Sequence, residues 1–242
     1  MLKIEPVASR EATALASLRR HRILGAVSDA DLRAMLRQSQ IVIIPEREVL
    51  FLQGDEGRAV LVLLVGFVKL SSVTSGGREV VLEICGPGSL FGELAVLNGW
   101  TRIADALALS RCEVLSIAGG AFRATLAQSP DAMFAMFGVL SRRLRFADEQ
   151  IRDSASLPGA ARLAKAMSQL AAAHARPVKS GLQLEIALSQ RELGGMTGLS
   201  RESINKELAL WRGRGWIEMS HQHITIRAAE ALRSLVREAE VG

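Results

Sequence analysis

The hydrophobic period turns from strand-like to helical at Pro130, and that change limits the possible folds more than any other feature of the chain. Before it, short β-rich runs occupy residues 41–44, 48–51, 59–66, 67–74, 78–85, 104–108 and 112–117. Between them lie Gln53-Gly54-Asp55-Glu56-Gly57, Ser75-Gly76-Gly77 and Gly86-Pro87-Gly88. Strand-sized runs alternating with turn signals predict an all-β barrel, roll or sandwich. Gly76-Gly77 between two such runs predicts a hairpin. After Pro130 the apolar or small residues Met133, Phe137, Leu140, Leu144, Ala147, Ile151 and Ser154 follow a 4-3-4-3-4-3 spacing. That is a heptad seam. Charged flanks (Arg142, Arg143, Arg145, Asp148, Glu149, Arg152, Asp153) favour a contact between two helices over burial of one, so this helix is expected to join two copies of the chain.

Leu157-Pro158-Gly159 breaks the seam, because proline disfavours helix in the residue before it and glycine frees the backbone. The expected domains are therefore 1–129, 130–157 and 158–242. Residues 1–27 read as mostly helical and peripheral. Ser28-Asp29-Ala30-Asp31 reads as the start of a short helix near 32–39, and 160–175 as another helix.

The last third holds a second signature. Ser189-Gln190-Arg191-Glu192 is a capping-box pattern, with Ser accepting from the helix and Glu reaching back. Gly198 follows as a turn, and Ser200 can cap a second helix from Arg201 to about Trp211. Ile204, Leu208 and Trp211 share one face of it. Arg201, Glu202, Asn205, Lys206 and Ala209 lie off that face. Arg pairs with guanine, Asn with adenine, and Glu accepts from cytosine, so this helix is suited to reading a major groove. A solvated helix face is the plainer alternative, and the helix–turn–helix frame decides against it. Gly215-Trp216-Ile217-Glu218-Met219 and Ile224-Thr225-Ile226 read as a wing. Charge agrees with this assignment. Residues 1–158 carry 18 Lys/Arg against 17 Asp/Glu, whereas 159–242 carry 12 against 8, so the excess of basic groups lies beside the expected DNA partner.

Other chemistries find little support. Cys85 and Cys112 sit in apolar runs and read as small core residues in a reducing cytoplasm. No secretory signal is read at the start, and the apolar run 59–68 is too short to span a membrane. No Ser–His–acid or Cys–His grouping suggests an enzyme. His221 and His223 form an H-x-H pair without a third ligand nearby, so they read as solvated or phosphate-contacting rather than as a metal site.

Three stretches together resemble the cyclic-AMP receptor protein superfamily (Crp/Fnr-type regulators) over nearly the whole chain. They are the turn 53–57, the segment Phe91-Gly92-Glu93-Leu94-Ala95-Val96-Leu97-Asn98-Gly99-Trp100-Thr101-Arg102-Ile103-Ala104, and Leu188-Ser189-Gln190-Arg191-Glu192-Leu193 running to Ser200-Arg201-Glu202-Ser203-Ile204-Asn205-Lys206. The resemblance implies an α+β chain with an N-terminal cyclic-nucleotide-binding-type β-roll, a long dimerisation helix and a C-terminal winged helix-turn-helix. It implies a homodimer that binds palindromic DNA with Ser189, Gln190, Ser200, Arg201, Glu202, Ser203, Asn205 and Lys206, and that engages RNA polymerase. Lys206 stands where the family's cyclic-AMP-binding members carry Arg, keeping the charge without the fork. A TGTGA-like half-site is expected at the core positions.

The middle segment resembles the family's phosphate-binding cassette. Its Glu would bond the ribose 2′-hydroxyl and its Arg the cyclic phosphate, which assigns these roles to Glu93 and Arg102. Gly92, Leu94, Ile103 and Ala104 complete the cassette, and Asp148 would approach the base. Ile103 replaces a usual Ser or Thr, which weighs against cGMP. Where adenine-binding members carry Thr-Ser, this chain has Ala147-Asp148. The ligand is therefore cAMP, another nucleotide such as cyclic di-GMP, or none, with Glu93 and Arg102 then forming an internal pair in a collapsed pocket. Haem and iron–sulfur sensing fit poorly: His21 is the sole histidine before residue 174, and there is no N-terminal cysteine cluster.

Overall fold

The runs expected to be strands form strands in a computed structural model, which describes residues 3–220 and 223–241. Two compact units emerge, Met1–Ser72 with Leu82–Leu144, and Val73–Val81 with Arg145–Gly242.

The first unit opens with β1 (Lys3–Pro6), α1 (Glu11–Arg20) and α2 (Asp29–Leu36). The strands β2 (Ser39–Ile44), β3 (Val49–Phe51), β4 (Ala59–Val65), β5 (Val68–Val73), β6 (Glu79–Cys85) and β7 (Leu90–Phe91) follow. Then come α3 (Glu93–Asn98), β8 (Asp105–Ala108), β9 (Cys112–Ala118), α4 (Gly119–Gln128) and the long α5 (Pro130–Ser156), whose residues from Arg145 on belong to the second unit, as do Val73–Val81 around the β5–β6 turn. The strands make two sheets, ordered β1-β2-β9-β4-β7 and β3-β8-β5-β6. This is a β-roll. Alternation contributes to it: Val60 and Ile117 are buried between less buried neighbours, while Val62-Leu63 and Val114-Leu115 are buried as pairs and so pack toward both cores. Ile44, Leu63, Val68, Cys85, Phe91, Ala106 and Cys112 share a core drawn from both sheets. Leu18, Leu24, Leu32, Phe122 and Met136 pack with Val60 and Leu115 in a second core.

Two readings need correction here. The described part of residues 1–27 is not peripheral, since Leu18, Ile23, Leu24 and Val27 are buried and Lys3–Pro6 form a strand paired with β2. Their apolar spacing is too interrupted by charge to announce burial. The short helix ends at Leu36, and Ser39 opens β2, where its Oγ donates to Met35 O at 2.8 Å. Ser28 does cap α2, accepting from Asp31 N.

His21 holds the turn after α1. Its Nδ1 accepts from Ile23 N at 3.2 Å and from Leu24 N at 3.3 Å. Burial lowers its pKa to about 4. A histidine with a depressed folded pKa supports the fold above its ordinary value near 6.5, and that support is lost as the pH falls toward 4. Wild type should therefore lose about 2–3 kcal/mol over that window through this group. In His21→Asn, urea unfolding at pH 7 and pH 4.5 should show that part of the pH dependence gone. An unchanged slope between the two would show that His21 does not govern it.

The second unit contains α6 (Gly159–His174), β10 (Ala175–Val178), β11 (Gly181–Leu184), α7 (Gln190–Thr197) and α8 (Arg201–Gly213). It ends with β12 (Ile217–Ser220), β13 (His223–Ile226) and α9 (Ala229–Val241). Its sheet runs β10-β11-β13-β12, a winged helix-turn-helix whose β10–β11 hairpin and α9 the sequence reading missed. Arg162 fastens the end of α5 to this unit, donating to Leu157 O at 3.0 Å and to Thr197 O at 3.1 Å. Among the described residues no helix is long and apolar enough to cross a membrane.

The long helix starts as its sequence demands, with Pro130 in its first turn and Ser129 Oγ accepting from Ala132 N at 3.3 Å. The expected seam divides in two. Met133 and Leu140 pack against the unit's own core. Phe137, Leu144 and Ile151 are 59%, 65% and 67% exposed, and Phe134, outside the expected seam, is 75% exposed. Ala147 and Ser154 are exposed as well.

Candidate functional site

Two left-handed glycines shape the cassette. Gly92 and Gly99 take that conformation on either side of α3. Gly92, at φ 78°, also leaves no room for a β-carbon, which would collide with Arg102 Nη1. The segment after α3 is tied to the turn 53–57: Arg102 N donates to Asp55 O at 2.7 Å, and Gly54 N donates to Arg102 O at 2.8 Å. Glu93 and Arg102 thus enter one buried region, 1% and 6% exposed.

Arg102 is held by groups with no sequence signal. Its Nη1 donates to Gly92 O at 2.7 Å, and its Nη2 donates to Ala59 O at 2.8 Å. The guanidinium carbon lies 4.3 Å from the Phe51 ring centroid, a cation–π contact. Burial pulls its pKa below the usual value, while Glu93 and Asp55 oppose that.

No hydrogen bond or ion pair joins Glu93 to Arg102 among the described residues, so the expected internal pair between them is not formed. The partner of Glu93 is Arg143 on α5. Arg143 Nη1 bonds Glu93 Oε1, its Nη2 donates to Leu90 O at 2.9 Å, and its Nε lies 3.2 Å from Glu83 Oε2. Sequence reading placed Arg143 among the flanking charges of the seam. The two residues lie 50 positions apart, and only folding brings them together. Burial raises the Glu93 pKa, and the Arg143 charge works against that rise.

Two polar side-chain atoms remain buried without a partner among the described residues, Glu93 Oε2 and Arg102 Nε. Each such atom costs about 1–3 kcal/mol, more where the group is charged. One is an acceptor and the other a donor, and both belong to the cassette. Of the other cassette residues, Ala104 is buried, Leu94 half-buried and Ile103 exposed. Asp148 is exposed on the part of α5 that belongs to the second unit. Two surface clefts, of about 420 and 540 Å³, lie instead along β1, α1 and α2, and neither is lined by Glu93 or Arg102.

The helix-turn-helix forms as its caps dictate. Ser189 N donates to Glu192 Oε2 at 2.6 Å, and Ser189 Oγ accepts from Glu192 N, closing the capping box. Gly198 turns left-handed at φ 74°. Ser200 Oγ accepts from Ser203 N at 3.1 Å and starts α8. Ile204, Leu208 and Trp211 are buried, which leaves Arg201, Glu202, Ser203, Asn205 and Lys206 exposed on one surface. Ser203 Oγ is engaged with Ser200 Oγ at 2.9 Å. Gln190 bonds both Arg201 and Asn205. In the wing, His223 Nδ1 lies 3.3 Å from Leu184 O, and His221 falls outside the described residues.

Comparison with known proteins matches both parts of the chain. Residues 41–129 fit the family model "Cyclic nucleotide-binding domain", and residues 161–235 fit "Crp-like helix-turn-helix domain". The chain is 30% identical over 220 residues to a "CRP-like cAMP-activated global transcriptional regulator" of Mycobacterium tuberculosis, covering 91% of this chain and 98% of that one. Its fold is similar to that of FixK2 from Bradyrhizobium japonicum, with a TM-score of 0.73, 17% identity, and 81% and 96% of the two chains covered. It is likewise similar to "The c-di-GMP Responsive Global Regulator CLP" of Xanthomonas campestris, with a TM-score of 0.69, 23% identity, and 82% and 99% coverage.

Proposed function

The chain belongs to the CRP-like family of transcription regulators, and from that premise we propose a homodimeric DNA-binding regulator whose grip on DNA is set by a cyclic nucleotide, cAMP foremost, bound at Glu93 and Arg102. The observation that carries the ligand reading is the pair of unpartnered buried atoms in the cassette. A ligand that satisfies both must offer a hydrogen-bond donor to Glu93 Oε2 and an acceptor to Arg102 Nε. A cyclic nucleotide carries both, as ribose 2′-hydroxyl and phosphate. Gly92, Leu94, Ile103 and Ala104 would border it. The Mycobacterium tuberculosis relative, described as cAMP-activated, supports cAMP as the first nucleotide to test.

The proposed organisation is 1–129 for effector binding, 130–157 for dimerisation and 158–242 for DNA. Ligand at Glu93 would compete with or reshape its bond to Arg143, which sits on α5. That links occupancy to the long helix, and hence to the spacing of two α8 helices on two half-sites of a palindrome. Asp148, on the same helix, would approach the base, and RNA polymerase in the cytoplasm would be the further partner. The Mycobacterium tuberculosis and Xanthomonas campestris relatives are named as regulators, which favours regulation over catalysis.

One observation favours a second reading, a regulator that works without ligand. Both Nη atoms of Arg102 are already spent on backbone carbonyls, so its fork is closed to a phosphate in this conformation. Titration calorimetry with cAMP, cGMP and cyclic di-GMP separates the two. The ligand reading expects micromolar binding of one nucleotide and at least a hundredfold loss in Arg102→Met, a buried charge-assisted contact being worth about 3 kcal/mol or more. Thermal unfolding establishes that the variant is folded. No heat from folded wild-type protein with any of the three would refute cyclic-nucleotide control.

A further inference from the structure

Gln190 is the first residue of α7, yet both polar ends of its side chain are directed at α8. Its Oε1 accepts from Arg201 Nε at 3.2 Å, and its Nε2 donates to Asn205 Oδ1. Arg201 and Asn205 stand one helical turn apart and are both exposed, on the surface that the DNA reading assigns to base contacts. We infer that Gln190 is a positioning residue: through these two bonds it sets the orientation in which Arg201 and Asn205 meet the bases, in place of the direct DNA contact that the family resemblance implies for it. This rests on the proposed DNA-reading role of α8.

The chemistry of the three groups supports that assignment. Arginine has five N–H donors, and capture of Nε leaves the Nη1/Nη2 edge free. That edge is the fork that matches guanine O6 and N7. Asn205, with Oδ1 already accepting, keeps Nδ2 as an available donor. Both side chains, Arg201 above all, would otherwise sample several rotamers, and ordering them before binding removes a cost that DNA would have to overcome. The relay is rooted at both ends. The Ser189–Glu192 capping box fixes the first turn of α7, and the Ser200 cap fixes the first turn of α8. Gln190 carries no charge, so a role through position predicts an effect on base discrimination and none on the electrostatic part of binding.

The test uses the full chain, with and without cAMP, and fluorescence-anisotropy titration at two salt concentrations. The duplexes are a palindrome of two TGTGA half-sites, the same palindrome with its half-site guanines changed to adenine, and a scrambled sequence. Gln190→Met keeps the length of the side chain and removes both bonds. It should weaken binding to the palindrome about tenfold and shrink the guanine-to-adenine penalty. Binding to the scrambled duplex, the salt slope and the melting temperature should stay as in wild type. In the double variant with Arg201→Met, Gln190→Met should cost less than it does in wild type, because the part of its effect that passes through Arg201 is already gone and only the part through Asn205 remains. Additive losses, or an equal loss on the scrambled duplex, would overturn the positioning role. If Arg201→Met alone binds the palindrome as wild type does, the α8 reading itself fails, an outcome separate from failure of the Gln190 role.

Discussion

Arg143→Met should destabilise the N-terminal unit by about 3–5 kcal/mol, because it strands a carboxylate that the fold has taken out of water. Glu93 is 1% exposed, and Arg143 is its partner. One oxygen of Glu93 already lacks a bond, and loss of Arg143 removes the charge-assisted bond of the other. The bonds from Arg143 to Leu90 O and Glu83 are lost in the same step. Adding Glu93→Gln should recover most of the loss, since a neutral amide costs far less to bury than an unpaired charge. The pH gives a second check. Burial raises the Glu93 pKa, and Arg143 holds that rise in check, so the single variant raises it further. The penalty belongs to the ionised form, present above the raised pKa and fading as the pH falls into the ordinary carboxylate range. Urea unfolding of the two single variants and the double reads all of this. Additive losses in the double variant, or a loss below about 1 kcal/mol in Arg143→Met, would mean the pair does not hold Glu93.

How far the sequence reached depended on whether a signal was local. The capping box at Ser189, the left-handed turn at Gly198 and the α8 stripe of Ile204, Leu208 and Trp211 concern residues within one or two helical turns, and each formed as read. The β-roll strands were legible because alternation and glycine turns are local too. The site was half legible. Glu93 and Arg102 stood out through a motif, but what holds them did not: the carbonyls of Gly92 and Ala59 exist at every residue, and the Phe51 ring and Arg143 arrive from distant elements. The N-terminal segment was misread for a related reason. Leu18, Ile23 and Leu24 are spaced irregularly around a turn that His21 stabilises, so no single period reports their burial. On α5 the heptad identified the apolar residues without saying which neighbour each one meets. Met133 and Leu140 meet their own unit, and Phe134 escapes the pattern because it lies beside the seam.

That division of α5 makes the proposed dimer sharply testable. Phe137, Leu144 and Ile151 fall seven residues apart, and each is more than half exposed on the single chain. Burying such a side chain is worth about 1.5–3 kcal/mol, and in a two-fold pairing each counts twice. Leu144→Glu removes that gain from both copies and sets two carboxylates near each other in a desolvated seam. The dimer dissociation constant should rise at least about a thousandfold, the equivalent of roughly 4 kcal/mol. Sedimentation should then show a monomer whose melting temperature in the winged helix stays intact, because Leu144 is not part of that unit's core. DNA binding should fall with it. A dimer engages the second half-site at an effective concentration set by its own geometry, and loss of that linkage costs about 10²–10⁴ in affinity for a palindrome. Affinity for a duplex with one half-site should hardly change, since α8 is untouched. A variant that sediments as wild type does would place the interface elsewhere. A monomer that still binds the palindrome at wild-type affinity would separate DNA recognition from dimerisation, and with it remove any route by which the long helix could carry a signal from Glu93 to the bases.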